Sequence, residues 1–196
     1  MWPSAAKPVR LEELVGPTPL DVVTTVLSPD AVLGPVSGLA AAFVQVEVLE
    51  RLPETSPGQL RSERVLSQGA YVSLGAVIFG DLVTLQLDLE GGAATIDLVA
   101  RRAELHLLSA HERDATPVDH ALPELVPLLS RAKQGGLLCQ REHLVRSGAR
   151  LRLRAVVERA GRAVASRHPS ALAERLIVRD DLAPVRLDEV LDADGG

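Results

Sequence analysis

Aliphatic and polar residues alternate most regularly between Tyr71 and Leu107, a stretch that predicts two or three β-strands folded back on one another. Val83, Leu85, Leu87 and Leu89 alternate with Thr84, Gln86 and Asp88, so one face of this strand is apolar and the other polar. Glu90-Gly91-Gly92 supplies the reversal, because glycine lacks the Cβ that keeps other residues out of positive φ. After the turn the alternation resumes, with Ala94, Ile96 and Leu98 on one side and Thr95, Asp97 and Val99 on the other.

The same period of two recurs on both sides of this hairpin. Leu20 to Leu27 is rich in β-branched residues, and Ala42 to Glu50 sets Val44, Val46 and Val48 against Gln45 and Glu47. Val65 to Phe79 gives one or two strands with Val72, Leu74, Ala76 and Ile78 on a single face, and Arg101 to Leu108 extends the hairpin. Ala149 to Glu158 is the best late strand, with Leu151, Leu153, Ala155 and Val157 facing in and Arg150, Arg152 and Arg154 facing out. Ala160-Gly161 closes a further hairpin, Leu176-Ile177-Val178 is a short final strand, and Leu137 to Val145 fits a strand or a helix.

A helical period is confined to two places. One is a short helix over Val9–Val15. The other is Glu124–Gln134, where Leu125, Leu128, Leu129 and Ala132 share a stripe, Pro127 falls in the first turn and Gly135-Gly136 suits the end. Gly34-Pro35-Val36-Ser37-Gly38 reads as a constrained loop, Pro53–Gln59 as a polar surface loop and Ser109–Pro123 as a long one. These elements predict a mainly β fold: a small, partly open β-barrel or sandwich, OB-like, with one or two short helices. The expected division is an N-terminal extension (1–19), a barrel-like domain (20–179) and an acidic C-terminal tail (180–196).

Composition sharpens this picture. Hydrophobic residues make up 46% of 196, enough for a sizeable core, yet the aromatics are Trp2, Phe43, Tyr71 and Phe79, so that core is aliphatic. The net charge of −5 does not draw in nucleic acid or an anionic membrane. Its distribution is uneven: residues 141–179 hold ten arginines against three glutamates, and residues 180–196 hold six acids against Arg186. No apolar run follows Lys7 and Arg10 as in a signal peptide, and Ala31–Val46 is too short and too broken to span a bilayer. A cytoplasmic location without a membrane span is the expectation.

Candidate chemistry is sparse. Cys139, a single cysteine, excludes an intramolecular disulfide and a zinc site built from cysteine pairs. His106, His111, Glu112, Asp114, Asp119 and His120 offer ligand types, but their spacing matches no ligand pattern and a polar loop accounts for them. His143 lies four residues from Cys139, within reach on a helix, yet no motif surrounds the thiol and core filling explains it. Gly91-Gly92 and Gly135-Gly136 lack the lysine and spacing of a phosphate loop and read as turns. No catalytic residue, metal or cofactor is therefore expected.

The distinctive feature is a basic stripe: Arg150, Arg152 and Arg154 on one strand face, extended by Arg146, Arg159 and Arg162. Single-stranded nucleic acid on a barrel would use such a stripe, but also stacking aromatics, and none lies within it.

Several pieces, in their order, resemble the GIDE domain, also called the BAM (beside-a-membrane) domain, of mitochondrial ubiquitin ligases and their bacterial relatives. The likeness lies in Gly34-Pro35-Val36-Ser37-Gly38 with the strand Phe43–Glu50, in the hairpin carrying Asp88, Glu90-Gly91-Gly92 and Asp97, and in the run Glu142 to Leu151. It covers about residues 20–160. Ala40, Ala41 and Ala42 stand where the family commonly has a cysteine, and neither a RING domain nor a membrane anchor is expected. The resemblance thus implies a barrel-like interaction domain without catalytic residues, and not ligase activity. The resulting expectation is a non-enzymatic protein-interaction module, its partner another protein or a second copy, in a bacterial multi-protein assembly. The alternative is an OB-like barrel binding single-stranded nucleic acid through the Arg146–Arg162 stripe; an enzyme with an unrecognised site is the third class.

Overall fold

The alternating segments become strands, and the first, sixth and seventh of them begin a ring. In chain order the strands are β1 (Thr18–Val26), β2 (Val32–Leu33), β3 (Ala40–Ala41), β4 (Phe43–Arg51), β5 (Tyr71–Phe79), β6 (Leu82–Leu89) and β7 (Gly92–Val99). There follow β8 (Ala103–His106), β9 (His111–Asp114), helix α1 (Val126–Leu129), β10 (Leu137–Val145), β11 (Arg150–Arg159), β12 (Glu174–Val178) and β13 (Val185–Glu189). The computed structural model describes residues 10–51, 71–108, 110–114, 122–132, 137–160 and 174–190.

Five strands close into a β-barrel in the order β1, β6, β7, β12, β11 and back to β1. Neighbours are antiparallel except β7 and β12, which run parallel. The small barrel read from the sequence is present, and the β1–β11 pairing from Thr18↔Val157 to Thr25↔Arg150 closes it fully. Its interior holds the inward residues of the alternation: Val83, Leu85, Leu87, Ala94 and Ile96 from the hairpin, and Leu151, Leu153, Ala155 and Val157 from β11, all at 0% exposure. Each Val, Leu or Ile among them contributes about 1.5–3 kcal/mol relative to exposure in water. The hairpin turns through Glu90 and Gly91, with Leu89 opposite Gly92 and Gly91 at φ 93°.

A four-stranded antiparallel sheet, β5-β4-β10-β9, stands against the barrel. Its strands come from two excursions, one between β1 and β6 and the other between β7 and β11. Phe43, Val145 and Ile78 at its base join the barrel core. The face bearing Val44, Val46 and Val48 is covered by Leu125, Leu128 and Leu129 around α1. That helix is a single turn, shorter than the Glu124–Gln134 stripe predicted, and the Ser130 hydroxyl folds back onto the Val126 carbonyl at 2.8 Å. The Gly135-Gly136 turn, Pro53–Gln59, Val65–Ala70 and Gly161 lie outside the described residues.

Several expectations are corrected. Leu137–Val145 is strand, paired with β4 along its whole length. The loop expected at Ser109–Pro123 contains β9, a strand of polar residues that apolar alternation could not reveal. Val72, Leu74, Ala76 and Ile78 do not share one face, because a bulge at Leu74 shifts the β4–β5 register. Leu74 instead joins Val77 and Phe79 beneath α1, while Ile78 faces the barrel. Ala103–His106 does not extend the hairpin; it pairs in parallel with β13. β13 itself lies within the segment expected as an acidic tail and bonds along β11, with Leu151↔Glu189 to Arg154↔Arg186 in register. At the other end, Leu14 in the expected extension is fully buried in the barrel core, where the short helix predicted over Val9–Val15 is a 3-10 turn at Leu11–Glu13.

Candidate functional site

Arg152 and Arg154 stand on the outer face of β11, and Asp21 lies across from them on β1. The Arg152 guanidinium grips Asp21 through two hydrogen bonds, Nε to Oδ1 at 2.6 Å and Nη2 to Oδ2 at 2.9 Å. Arg154 reaches Asp21 at 3.4 Å on one side and Asp188 of β13 at 3.2 Å on the other. Arg186 also meets Asp188, at 2.8 Å. Arg159 pairs with Glu174 at 2.8 Å and donates to the Leu11 carbonyl at 2.6 Å. Arg146 is exposed in the turn leading to β11 and Arg150 is exposed at that strand's first residue, whereas Arg162 lies outside the described residues. The stripe is therefore in large part a network of ion pairs that ties β1, β11, β12 and β13 together.

This network fixes an acid response. The Arg152 hydrogen bond, opposed by burial and helped by the charges of Arg152 and Arg154, holds the Asp21 carboxyl below its ordinary 3.8. On the second sheet His143, with its Nε2 3.9 Å from the carboxylate, holds Glu47 below 4.5 against burial, helped by the charge of Arg141. As pH falls the unfolded chain takes up these protons first. The stability from each pair is thus complete above the ordinary value and is lost as pH drops through the lower folded one. Urea midpoints measured against pH should fall below pH 4.5, and the fall should be shallower in Asp21→Asn; equal slopes would contradict the assignment.

The histidine and acid cluster is divided. His106 is on β8 of the barrel sheet, His111 and Glu112 are on β9 of the other, and Asp119 and His120 lie outside the described residues. Glu112 instead pairs with Arg141 at 2.6 Å. Among the described residues no three His, Cys, Asp or Glu side chains gather as a metal would require. Cys139 and His143 do share a face, but of strand β10, so four residues of extended chain separate them by about 13 Å. That is too far for a thiol and its base.

What sequence reasoning missed is Glu142. It is fully buried on β10, on the face that carries Val44 and Val46. Its carboxylate accepts hydrogen bonds from the Val36 N–H at 2.7 Å, from the Ser37 N–H at 3.1 Å and from the Ser37 hydroxyl. Successive backbone N–H groups turned inward form an anion-binding nest, and here the anion belongs to the chain itself, 106 residues beyond Val36. Gly34 is required by this contact, since a Cβ there would stand 2.5 Å from the carboxylate oxygen. Gly38, at φ 72°, completes the turn with its N–H on the Gly34 carbonyl.

The held loop is the tip of the β2–β3 hairpin. It presents Leu33 at 70% exposure and Leu39 at 39%. A sequence signal existed: Gln140 and Glu142 occupy positions in β10 where the alternation calls for apolar residues. The arrangement offers an exposed apolar projection on a polar anchor. Among the described residues no helix is long and apolar enough to cross a membrane. Compared with family models, curated proteins and solved structures, the chain finds no match.

Proposed function

We propose that this protein is a non-catalytic protein-interaction module, a GIDE-like barrel working in the cytoplasm within a bacterial multi-protein assembly. The observation that carries this reading is the Glu142 anchor. A buried charge is costly unless fully hydrogen-bonded, and here three donors satisfy it in order to hold one surface hairpin still. The side chains so displayed, Leu33 and Leu39, are apolar and in solvent, which suits docking on a protein surface. Pre-ordering such a loop removes entropy that binding would otherwise cost.

The nucleic-acid reading is disfavoured by the ion pairs on β11, because Arg152, Arg154 and Arg159 already face carboxylates of their own chain. The test is capture of partners on the immobilised full chain, compared with Leu33→Asp and Leu39→Asp. The wild type should retain a defined complex on sizing chromatography, and either variant should lose it by tenfold or more, about 1.4 kcal/mol. Absence of any retained partner would defeat the proposal. So would salt-sensitive binding of single-stranded DNA that disappears on Arg152→Glu.

A further inference from the structure

Two runs of chain lie side by side in the barrel sheet and pair in parallel at both of their ends, β7 with β12 and β8 with β13. Between those pairings the ladder is interrupted. β7 leads to β8 through a 3-10 turn at Ala100–Arg102, and β12 leads to β13 through the turn that follows Val178. Each turn makes local bonds of its own: the Ala103 N–H donates to the Ala100 carbonyl, and the Leu182 N–H to the Arg179 carbonyl. The interruption leaves a crevice of about 160 Å³. Its sides are aliphatic, with Val99 and Ile177 where the first pairing ends and Val185 where the second begins. One ion pair joins the two turns across it, Arg102 Nη1 lying 3.2 Å from Asp180 Oδ2.

We propose that this crevice binds a free aliphatic α-amino acid, Arg102 taking its carboxylate, Asp180 its ammonium and the aliphatic walls its side chain. Size sets the first limit. Pockets for drug-sized ligands run to about 300–1,000 Å³, and this one is smaller, suited to a molecule of a few heavy atoms. Charge sets the second. The other carboxylate of the crevice, Asp97, is already met by the Thr84 hydroxyl at 2.6 Å and by Arg175 at 2.5 Å. What remains is one cation beside one anion, which favours a dipolar ligand over a net anion or a net cation. In a free amino acid the nitrogen and the carboxyl carbon are about 2.5 Å apart, close enough to face both members of the pair at once. A peptide, with its two charges at opposite ends, does not present them together. The Arg102 and Asp180 side chains are 65% and 40% exposed, so exchanging their mutual contact for ligand contacts costs little. Ile177 is 42% exposed although large and aliphatic, and the ligand's side chain would cover it. The site shares no residue with the Leu33–Leu39 hairpin and stands independently of partner docking.

The experiment is amide NMR of the full chain titrated with L-leucine, and separately with isopentylamine and isocaproate, which keep the aliphatic chain but carry one charge each. Leucine should shift the amides of residues 98–102 and 177–185 saturably. Each analogue should bind more weakly by about tenfold or more, the loss expected for one charge-assisted contact. This comparison uses the wild type alone and needs no variant. Arg102→Ala and Asp180→Ala change exposed side chains, so the rest of the spectrum should be preserved while each weakens leucine by about tenfold or more. No saturable shift with leucine, an equal response to either analogue, or undiminished binding by the two variants would overturn the proposal.

Discussion

Glu142→Ala should lower stability by about 3–5 kcal/mol, a loss seldom seen for a surface-loop contact and characteristic of a broken buried network. The substitution removes the acceptor for the Val36 and Ser37 N–H groups and for the Ser37 hydroxyl at once. Each donor left without a partner costs about 1–3 kcal/mol, reduced where water can reach the loop. Glu142→Gln should cost less, about 2 kcal/mol, because an amide keeps one oxygen acceptor but turns an NH2 toward donors. Ser37→Ala should cost about 1 kcal/mol, since two of the three bonds survive. Urea unfolding reads all three. The order Ala, Gln, then Ser37→Ala is the diagnostic, and a Glu142→Gln variant within about 0.5 kcal/mol of wild type would show that the carboxylate is not what holds the hairpin.

That contact also marks where the sequence was legible and where it was not. The β6–β7 hairpin and β11 could be read residue by residue, because an inward position in a strand is decided by its immediate neighbours two places away. β8, β9 and β13 could not. Each is four or five residues long, and their partners are distant in sequence: β13 docks on β11 through Asp188 and Arg154, and β9 aligns with β10 where Glu112 meets Arg141. A four-stranded sheet assembled from two separate excursions leaves no local sign of which strands share it. The Leu74 bulge defeated the face assignment in β5 for a related reason, since one inserted residue reverses every side chain beyond it. Arg152 and Arg154 were correctly placed on an outer face, yet read as a surface for ligands, because Asp21 lies more than a hundred positions away in the chain. Glu142 was buried out of sight for the same reason: a carboxylate at an inward position makes sense only once its donors on the Gly34–Gly38 loop are known.

Leu153→Ala should cost about 3 kcal/mol, within the 2–5 kcal/mol range for removing a large aliphatic side chain from a close-packed interior. Leu153 is fully buried at the middle of β11, opposite Val22 of β1 and Leu187 of β13, where three strands fix the backbone and leave little room for collapse into the cavity. Its neighbour Arg152 points the other way, and its pairing with Asp21 tests what the outer face contributes. Arg152 has a side chain 44% exposed, so Arg152→Ala should cost no more than about 1 kcal/mol even though its geometry is bidentate. Asp21→Ala should cost more than Arg152→Ala, since the Asp21 side chain is only 7% exposed and its removal strips Arg154 of a partner as well. The ratio between Leu153 and Arg152 separates two accounts of this strand. If the dry interior holds the barrel and the ion pairs only staple its seams, the leucine dominates. If Arg152→Ala proves as damaging as Leu153→Ala, the barrel is held chiefly by its charged wall, and the assignment of stability to alternating aliphatic residues fails.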